Sequence, residues 1–312
     1  HYQEGKDLIK MGLKKGIFKK HGDGAVLTDL SSYGLPDTIL LKKDGTSLYI
    51  TQDIALTALK RKFYNADKLV WVIGPEQSLA MKQLFAVCEQ LGIGKRSDFS
   101  HVSYGYVGLK GENGGVKKMS SREGTVVLIN DVIDDVKNKI FQKFIGEDKR
   151  AYESLQNLSE KLALAAIKFS ILKSERTQNL VFDVEQSIET TGDSGVYVLY
   201  AYVRTQSILR KGQNKIILKK SNLLHKQGQE GDLVKLLMLF PEIIARAKED
   251  LSVHHIAQYL LEVCSAFNTW YGKEIILDGT NRQDYKLAIT ECVGITIKNG
   301  LFILGIETVD NI

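Results

Sequence analysis

The sequence is poor in the features that mark several classes of protein. It has three cysteines in 312 residues, an odd number, and they lie far apart in apolar contexts typical of helices. This spacing argues for a reducing compartment and against a disulfide framework or a metal cluster. No apolar run reaches the roughly 20 residues that span a bilayer, and no secretory leader is visible. We therefore expect a cytoplasmic protein that does not cross a membrane.

The sequence also lacks a convincing set of metal ligands. None of its six histidines falls in a recognisable ligand spacing. His254 and His255 are adjacent, so their side chains would diverge on a helix. We predict no protein-bound metal site, and we find no internal repeat and no low-complexity tract.

The bulk properties set only broad limits. A chain of this length buries a substantial core and should contain about two domains. The net charge of +5 and the pI near 8.8 are compatible with a polyanionic partner, but they are also common among soluble proteins without one.

Strand and helix patterns alternate in the first two-fifths of the chain. Short apolar runs predict strands at 25–27, 38–41, 47–50, 68–73, 102–107 and 126–129, and helical spacing predicts helices at 53–64 and 78–91. The continuous apolar run at 68–73 is typical of a parallel strand that is buried on both faces. Together these patterns predict a doubly wound α/β layer.

Helical patterns dominate from Asp131 onward, and strand signals nearly vanish. Three-to-four-residue apolar spacing predicts helices at 131–144, 159–172, 194–211, 232–250, 254–271 and 283–304. Residues 211–232 are rich in lysine and glutamine and are predicted to form a loop. The second half of the chain is therefore predicted to be an all-α helical bundle.

A basic segment, Lys117–Thr125 (KKMSSREGT), separates these two parts. Glycines on both sides give it backbone freedom, and lysines on a flexible loop can follow the charge that develops on separating phosphates. Read alone, the segment is better explained as a solvated hairpin whose lysines only keep it soluble than as a phosphate site.

The order Lys-Met-Ser-Ser-Arg resembles the Lys-Met-Ser-Lys-Ser loop of class I aminoacyl-tRNA synthetases, and Ser120–Val126 is most similar to the arginyl form. Further ordered similarities to arginyl-tRNA synthetases occur at 47–55 (SLYITQDIA), 192–204, 266–271 (AFNTWY) and 298–306. Five matches in the same order are far more specific than any one of them, and they cover nearly the whole chain.

The resemblance implies an α/β fold class with two parts. Residues 1–130 would be the second half of a class I Rossmann-type parallel-sheet catalytic domain. Residues 131–190 would be a helical connection, and residues 191–312 an all-α helical-bundle anticodon-binding domain.

The implied activity is the ATP-dependent attachment of L-arginine to tRNA(Arg) through an arginyl-adenylate, with Mg²⁺ accompanying ATP. The family's His-x-Gly-His motif is absent from the sequence, so we expect a truncated fragment that is inactive alone, and a monomer. A noncatalytic tRNA-binding fragment or paralogue is the alternative. Another class I synthetase, or a nucleotidyltransferase with a similar loop, is disfavoured by Asp53 and by the helical second half.

The resemblance assigns the arginine contacts to Tyr49, Asp53 and Gln77. An aspartate at a helix start is usually an N-cap. However, a guanidinium requires a carboxylate that accepts two parallel hydrogen bonds, and Asp53 stands where the family contacts the amino acid. Tyr49, expected at the end of a strand, and Gln77, just after the next strand, would lie at the same sheet edge.

The ATP contacts that the resemblance implies are Lys118, Met119, Ser120, His101 and Gly105, and Lys118 is the catalytic residue. Lys118 would stabilise the charge on the departing pyrophosphate, and His101 is equally compatible with a structural role. The sequence departs from the family pattern at three positions. Ser121 replaces the second loop lysine, and Ala80 and Met81 stand where the family often has a histidine and an aromatic residue.

The predicted tRNA contacts are Tyr197, Tyr200, Arg204 and Tyr271. Aromatic faces stack on unstacked bases of single-stranded loops, and arginines hold backbone phosphates. A role in the core or in an interface is the alternative for these aromatic residues. The family match favours base contact for Tyr197 and Tyr200.

Overall fold

The computed structural model describes residues 2–111, 115–117, 127–145, 152–212 and 228–312. These residues form two compact units, His1–Gly105 and Tyr106–Ile312. The predicted boundaries at 130/131 and 190/191 remain a prediction. Within the described residues, no helix is long and apolar enough to cross a membrane.

The first unit combines helices with two small sheets. Its elements are α1 (Tyr2–Lys14), β1 (Lys19–Lys20), β2 (Val26–Leu27), β3 (Ile39–Leu41), α2 (Tyr49–Tyr64), β4 (Leu69–Val72), α3 (Ser78–Gln90) and β5 (Phe99–Val102). Strands β1, β2 and β3 form an antiparallel sheet, and β4 pairs in parallel with β5. The order β4–α3–β5 is therefore a parallel strand pair with a helical crossover, as the alternating pattern predicts.

Three aromatic rings form the centre of the core beneath the parallel strands. The ring centroid of Trp71 lies 5.1 Å from that of Phe85 and 6.0 Å from that of Phe99. The Lys60 ammonium nitrogen also lies over the Trp71 ring, 5.3 Å from the ring centroid. Because Phe85 belongs to α3 and Lys60 to α2, both helices cover the sheet face that carries Trp71.

The opposite face of β4 differs from the prediction. Val70 is 46% exposed and Val72 is 66% exposed, whereas the apolar run predicts burial on both faces. The prediction is wrong in this chain because α2 and α3 both pack on the Trp71 side. Alternating side chains of a strand point to opposite faces, so Val70 and Val72 point away from both helices.

Three predicted strands near the candidate site are also corrected. Tyr49 is the first residue of α2 rather than the end of a strand, so Asp53 lies in the second helical turn and is not an N-cap. The predicted strand 102–107 is two separate strands, because β5 ends at Val102 and the next strand begins at Val107. Val127 and Leu128 are irregular, and Ile129 begins a helix.

The second unit is mostly helical. Its elements are β6 (Val107–Lys110), β7 (Val116–Lys117), α4 (Ile129–Ile140), a π-helical turn (Phe141–Ile145), α5 (Tyr152–Leu172), β8 (Leu180–Phe182), α6 (Val184–Ser187), α7 (Gly195–Gly212), α8 (Gln229–Met238), α9 (Phe240–Glu249), α10 (His254–Tyr271) and α11 (Gln283–Ile303). The sheet order is β7–β6–β8, with β6 antiparallel to β7 and parallel to β8. The three-residue strand β8 was not predicted, because so short an apolar run carries no periodicity.

Most of the helices agree with the sequence pattern, and α10 agrees at both ends. The predicted helix 232–250 is divided into α8 and α9, because Pro241 lacks the N–H that a continuous helix would need. Helix α5 begins seven residues before the predicted start at Ser159. Of the predicted loop 211–232, residues 213–227 lie outside the described residues.

Close helix contacts hold α7 within the bundle. A Cβ at Gly195 would lie 2.3 Å from the Ala165 carbonyl oxygen of α5, and a Cβ at Gly294 of α11 would lie 2.8 Å from Thr205 Oγ1. Glycine at both positions lets the backbones approach more closely than any other residue would allow. As a result α7 is fixed against two neighbouring helices.

Candidate functional site

The carboxyl edge of the parallel strand pair carries the first group of predicted site residues. Ile73 extends the strand pairing, since its N–H donates to the Val102 carbonyl oxygen at 3.2 Å. The chain then turns at Gly74 into a 3₁₀ turn, Pro75–Gln77, which leaves Gln77 exposed. Gly105 follows β5 at the same edge, so Gln77 and Gly105 both lie where parallel sheets bind ligands.

Helix α2 begins near this edge. At its other end, Arg61 donates to the Asp98 carboxylate at 3.0 Å, and Asp98 immediately precedes β5. The C-terminal end of α2 is therefore at the amino edge of the strands. The first turns of the helix, which carry Tyr49 and Asp53, accordingly lie towards the carboxyl edge.

Buried Thr51 fixes the start of α2. Its hydroxyl donates to the Leu40 carbonyl oxygen of β3 and accepts from the Leu48 N–H at 3.2 Å. One side chain thus satisfies a strand carbonyl and a backbone donor at the helix start. This contact determines where the first turn of α2 is placed.

Tyr49 and Asp53 lie four residues apart on the same face of α2. The Tyr49 side chain is 85% exposed, and Asp53 is half-buried. Partial burial raises the pKa of the Asp53 carboxyl, and the nearby positive charge of Lys60 opposes this rise. Within the described part of the chain, no hydrogen bond reaches the Asp53 carboxylate oxygens, so both remain available to a ligand.

His101 lies on β5 opposite Trp71. Its Nε2 is 3.1 Å from the Ile73 carbonyl oxygen, so this nitrogen carries the proton and donates to the backbone. The contact ties the ring to the end of β4 and leaves Nδ1 as its other polar atom. The predicted contacts Lys118, Met119 and Ser120 lie outside the described residues.

A second site lies in the other unit, between α7 and α10. It is a cavity of about 600 Å³, called here the α7–α10 cavity, and its lining residues are Thr190, Thr191, Gly192, Tyr197, Tyr200, Arg204, Ser265, Asn268 and Thr269. Three of the four predicted tRNA contacts are therefore brought together in one cavity. The fourth, Tyr271, is in contact with one of them.

Arg204 lies against two tyrosine rings. Its guanidinium carbon is 5.3 Å from the ring centroid of Tyr200 and 5.3 Å from that of Tyr271. Both tyrosines are partly exposed, so each ring has an accessible surface beside a fixed cation. Such an arrangement places a positive charge and aromatic faces together, which suits a base or a phosphate of single-stranded RNA.

A hydrogen-bonded group lies beside this arginine. Arg204 Nη1 donates to Asn268 Oδ1, and Asn268 Nδ2 donates to the Tyr197 hydroxyl oxygen at 3.1 Å. Burial raises the pKa of the Tyr197 phenol, while the hydrogen bond from Asn268 acts in the opposite direction. Tyr197 is thus a neutral hydroxyl at the side of the cavity.

The segment before α7 forms another side of the cavity and is held in place by hydrogen bonds and an ion pair. The Ser194 hydroxyl donates to the Glu189 carbonyl oxygen and accepts from the Tyr197 N–H at 2.9 Å. Lys173 donates to the Asp193 carboxylate at 2.6 Å. Gly192 has φ of 83°, a conformation that glycine adopts without strain. These contacts therefore fix the backbone at this edge of the cavity.

Several cavity residues were not among the predicted contacts. Asn268 falls within a segment that supports the family resemblance, but the sequence contains no signal that pairs it with Tyr197 and Arg204, about 70 positions earlier. The hydroxyl residues Thr190, Thr191, Ser265 and Thr269 were missed for the same reason. Within the described residues, no group of three or more His, Cys, Asp or Glu side chains could hold a metal ion.

Two known families match this chain, one along each part of it. The family described as tRNA synthetases class I (R), catalytic domain, matches residues 2–184, and the DALR anticodon binding domain matches residues 198–312. The predicted fold class, a class I catalytic region followed by a helical anticodon-binding domain, is thereby confirmed.

Curated relatives match along nearly the whole chain. An arginine–tRNA ligase of Lactococcus lactis subsp. cremoris is 32% identical over 99% of this chain and 54% of the relative. One from Flavobacterium psychrophilum is 34% identical over 98% of this chain and 51% of the relative. The chain thus spans about half the length of the curated relatives that it matches.

Two solved structures share the fold. The arginyl-tRNA synthetase of Thermus thermophilus has a TM-score of 0.85 at 22% identity, covering 98% of this chain and 58% of that structure. The enzyme from Plasmodium falciparum has a TM-score of 0.82 at 20% identity, covering 100% of this chain and 53% of that structure.

Proposed function

Because this chain belongs to the family of class I arginyl-tRNA synthetases, we propose that it is part of an enzyme that attaches L-arginine to tRNA(Arg) at the expense of ATP. The first unit would bind arginine and carries two of the proposed ATP contacts, His101 and Gly105, and the α7–α10 cavity of the second unit would bind the tRNA. The attachment of arginine to tRNA is a step of translation, and this role supports a cytoplasmic location. The expectation of a monomer stays a prediction.

The observation that carries this proposal is the environment of Asp53. Its carboxylate is half-buried, accepts no hydrogen bond within the described residues, and lies near the carboxyl edge of the parallel strands. A guanidinium group would supply the two parallel donors that this carboxylate lacks, together with its own positive charge. Tyr49, on the same face of α2, would cover the bound amino acid, and Gln77 would contact it from the end of β4.

ATP would bind at the same edge of the sheet. Gly105 follows β5 and allows close approach of a ligand, and the His101 ring is held next to that edge. Lys118 would stabilise the negative charge on pyrophosphate as it leaves, with Met119 and Ser120 as further contacts. Mg²⁺ would accompany ATP. Since the described residues contain no ready metal site, no step of the proposal depends on a protein-held ion.

The tRNA would contact the α7–α10 cavity. Tyr197, Tyr200 and Tyr271 provide aromatic surface, and Arg204 provides a fixed charge beside it. Aromatic residues and arginines bind bases that are splayed out of a single-stranded RNA loop. An anticodon loop presents such bases, and the match of this region to an anticodon binding domain supports this assignment.

Binding of arginine and of citrulline to the chain tests the proposed role of Asp53. Citrulline has the shape of arginine but a neutral ureido group, so it cannot form a charge-assisted bond with a carboxylate. We expect arginine to bind about 10- to 100-fold more tightly than citrulline, because hydrogen bonds to charged groups contribute about 1.5–3 kcal/mol. Asp53→Asn should abolish this preference, as measured by isothermal titration calorimetry.

Asp67→Asn is the matched control, since Asp67 is exposed and the substitution makes the same change in charge. Equal affinity of the wild-type chain for the two ligands would contradict the guanidinium contact. If the chain binds an RNA anticodon stem-loop but neither amino acid, the alternative of a noncatalytic tRNA-binding protein is favoured. The observation that favours this alternative is that all lining residues of the α7–α10 cavity belong to the second unit.

A further inference from the structure

Asn268 connects two of the three polar side chains that α7 contributes to the cavity, Tyr197 and Arg204. It accepts a hydrogen bond from Arg204 through Oδ1 and donates one to the Tyr197 hydroxyl through Nδ2, at 3.1 Å. Asn268 is on α10, so this single amide joins the two helices that form the cavity. The resemblance to known synthetases assigned no role to this residue.

Arg204 determines the orientation of this amide. A guanidinium has only hydrogen-bond donors, so the Asn268 atom that faces it must be the oxygen. The amide nitrogen must then face Tyr197, and because this nitrogen only donates, the Tyr197 hydroxyl must accept. A hydroxyl that accepts from one partner still has its own proton to donate elsewhere.

We propose that Asn268 is a positioning residue that keeps the Tyr197 hydroxyl as a hydrogen-bond donor towards a nucleobase bound in the α7–α10 cavity. The proposal rests on the proposed binding of RNA to this unit, and it specifies the direction of one hydrogen bond between the protein and the RNA. The base would present an acceptor atom, a ring nitrogen or a carbonyl oxygen, to Tyr197. The nearby rings of Tyr200 and Tyr271 would provide stacking surface.

The geometry around Arg204 supports a positioning role for the amide. The guanidinium contacts the rings of Tyr200 and Tyr271 and donates to Asn268, so three neighbouring side chains restrain its orientation. A fixed guanidinium in turn fixes the amide, and the amide fixes the direction of the Tyr197 hydroxyl. The order of dependence is therefore Arg204, then Asn268, then Tyr197.

Two substitutions of Asn268 separate this role from a structural one. In Asn268→Asp the carboxylate still accepts from Arg204, but it cannot donate, so the Tyr197 hydroxyl would turn and donate to the carboxylate. In Asn268→Ala the hydroxyl is free and can still donate to a base. Under this proposal Asn268→Asp therefore weakens RNA binding more than Asn268→Ala does. A merely structural role predicts the reverse, because aspartate retains the shape and the arginine contact that alanine loses.

The measurement is the affinity of the full chain for an RNA anticodon stem-loop, with each Asn268 variant combined with Tyr197→Phe. We expect Asn268→Asp and Tyr197→Phe each to weaken binding about 3- to 10-fold, the effect of one lost hydrogen bond. The double variant Asn268→Asp with Tyr197→Phe should bind no more weakly than either alone. In the Asn268→Ala background, Tyr197→Phe should still weaken binding.

The added negative charge of the introduced aspartate has its own control. Asn157→Asp places the same charge on an exposed position of α5 in the same unit, and it should leave RNA affinity unchanged. Simple repulsion of RNA by the carboxylate of the Asn268→Asp variant would add to the effect of Tyr197→Phe, and such additivity would overturn the proposal. So would an unchanged affinity in both single variants. If the wild-type chain binds no stem-loop, the proposed RNA role of the cavity fails, and the positioning role fails with it.

Discussion

Asp53 has two properties that both disfavour its charged form in the absence of a ligand. Its carboxylate is removed from part of its water, which raises its pKa, and it gains no hydrogen bond within the described residues in return. Such a group lowers the stability of the folded protein when it is charged. A bound cation would reverse this effect, so the residue is better suited to binding than to folding.

The stability of the Asp53→Asn variant tests this interpretation. Because the folded-state pKa of Asp53 is raised above its ordinary value of 3.8, the folded protein binds more protons and loses stability as pH rises through this range. Asparagine does not titrate. We therefore expect the variant to be more stable at neutral pH by about 0.5 kcal/mol or less, the scale of change at half-exposed positions.

Chemical denaturation at a series of pH values measures this difference. The advantage of the variant should disappear as the pH falls below the ordinary pKa of an aspartate, where the wild-type carboxyl is protonated in both states. A variant that is less stable than the wild type at neutral pH would show that Asp53 has a stabilising partner. Asp67→Asn, at an exposed position, should show neither effect.

Arg204 illustrates why residue type matters in the second unit. A planar guanidinium can lie against two aromatic rings and still donate from its edge, as Arg204 does to Asn268. A lysine ammonium has neither the flat faces nor the fixed donor directions. The arrangement around Arg204 therefore depends on arginine rather than on positive charge alone.

At the scale of elements, the start of α2 depends on its contact with β3. Thr51 is fully buried, and its hydroxyl bonds both the Leu40 carbonyl oxygen and the Leu48 N–H. Two of the three residues proposed to bind arginine, Tyr49 and Asp53, depend on this contact, since they lie on either side of Thr51 in sequence. A shift of this first helical turn would move both side chains.

We expect Thr51→Val to destabilise the protein by about 1–3 kcal/mol, because valine keeps the volume but leaves a buried carbonyl oxygen and an N–H without that partner. Thr57→Val is a matched control. Thr57 is equally buried, but its hydroxyl donates to the Asp53 carbonyl oxygen within the same helix, where the backbone already provides a partner. Thermal unfolding should therefore show a much smaller loss for Thr57→Val, and equal losses would contradict the proposed role of Thr51.

In the second unit, the placement of α7 likewise depends on contacts with other elements, including α10. The close approach at Gly195 and the Ser194 hydrogen bonds fix the beginning of α7, and Asn268 of α10 bonds two of its side chains. Tyr197, Tyr200 and Arg204 occur at spacings of three and four on one helical face. The helix alone thus brings these three together, but the cavity requires the second helix.

At the scale of the whole molecule, each compact unit contains one candidate site. Arginine should therefore slow amide hydrogen exchange in the first turns of α2 and around Gln77, without affecting the second unit. An RNA anticodon stem-loop should slow exchange in the segment before α7 and in α10. Exchange measured by mass spectrometry after each addition would check this assignment, and protection in the other unit would contradict it.

The sequence predicted the larger features of the molecule well. Long segments with strong helical periodicity, such as 254–271, were assigned almost without error, because burial of one helix face leaves a clear pattern. The family resemblance correctly implied an α/β region followed by a helical bundle. The short strand β8 and the first helical turn at Tyr49 were missed or misassigned, because segments of three or four residues carry too little periodicity to decide.

The sequence by itself determined which residues are candidates for the chemistry, since the motifs around Tyr49, Asp53 and the basic loop, and the aromatic face of α7, are visible without coordinates. Only the tertiary structure decided which of them meet. Asp53 has a raised pKa because packing buries it, and Asn268 joins Tyr197 to Arg204 because α10 lies beside α7. Contacts between residues far apart in sequence depend on the packing of whole elements, and no local pattern records them.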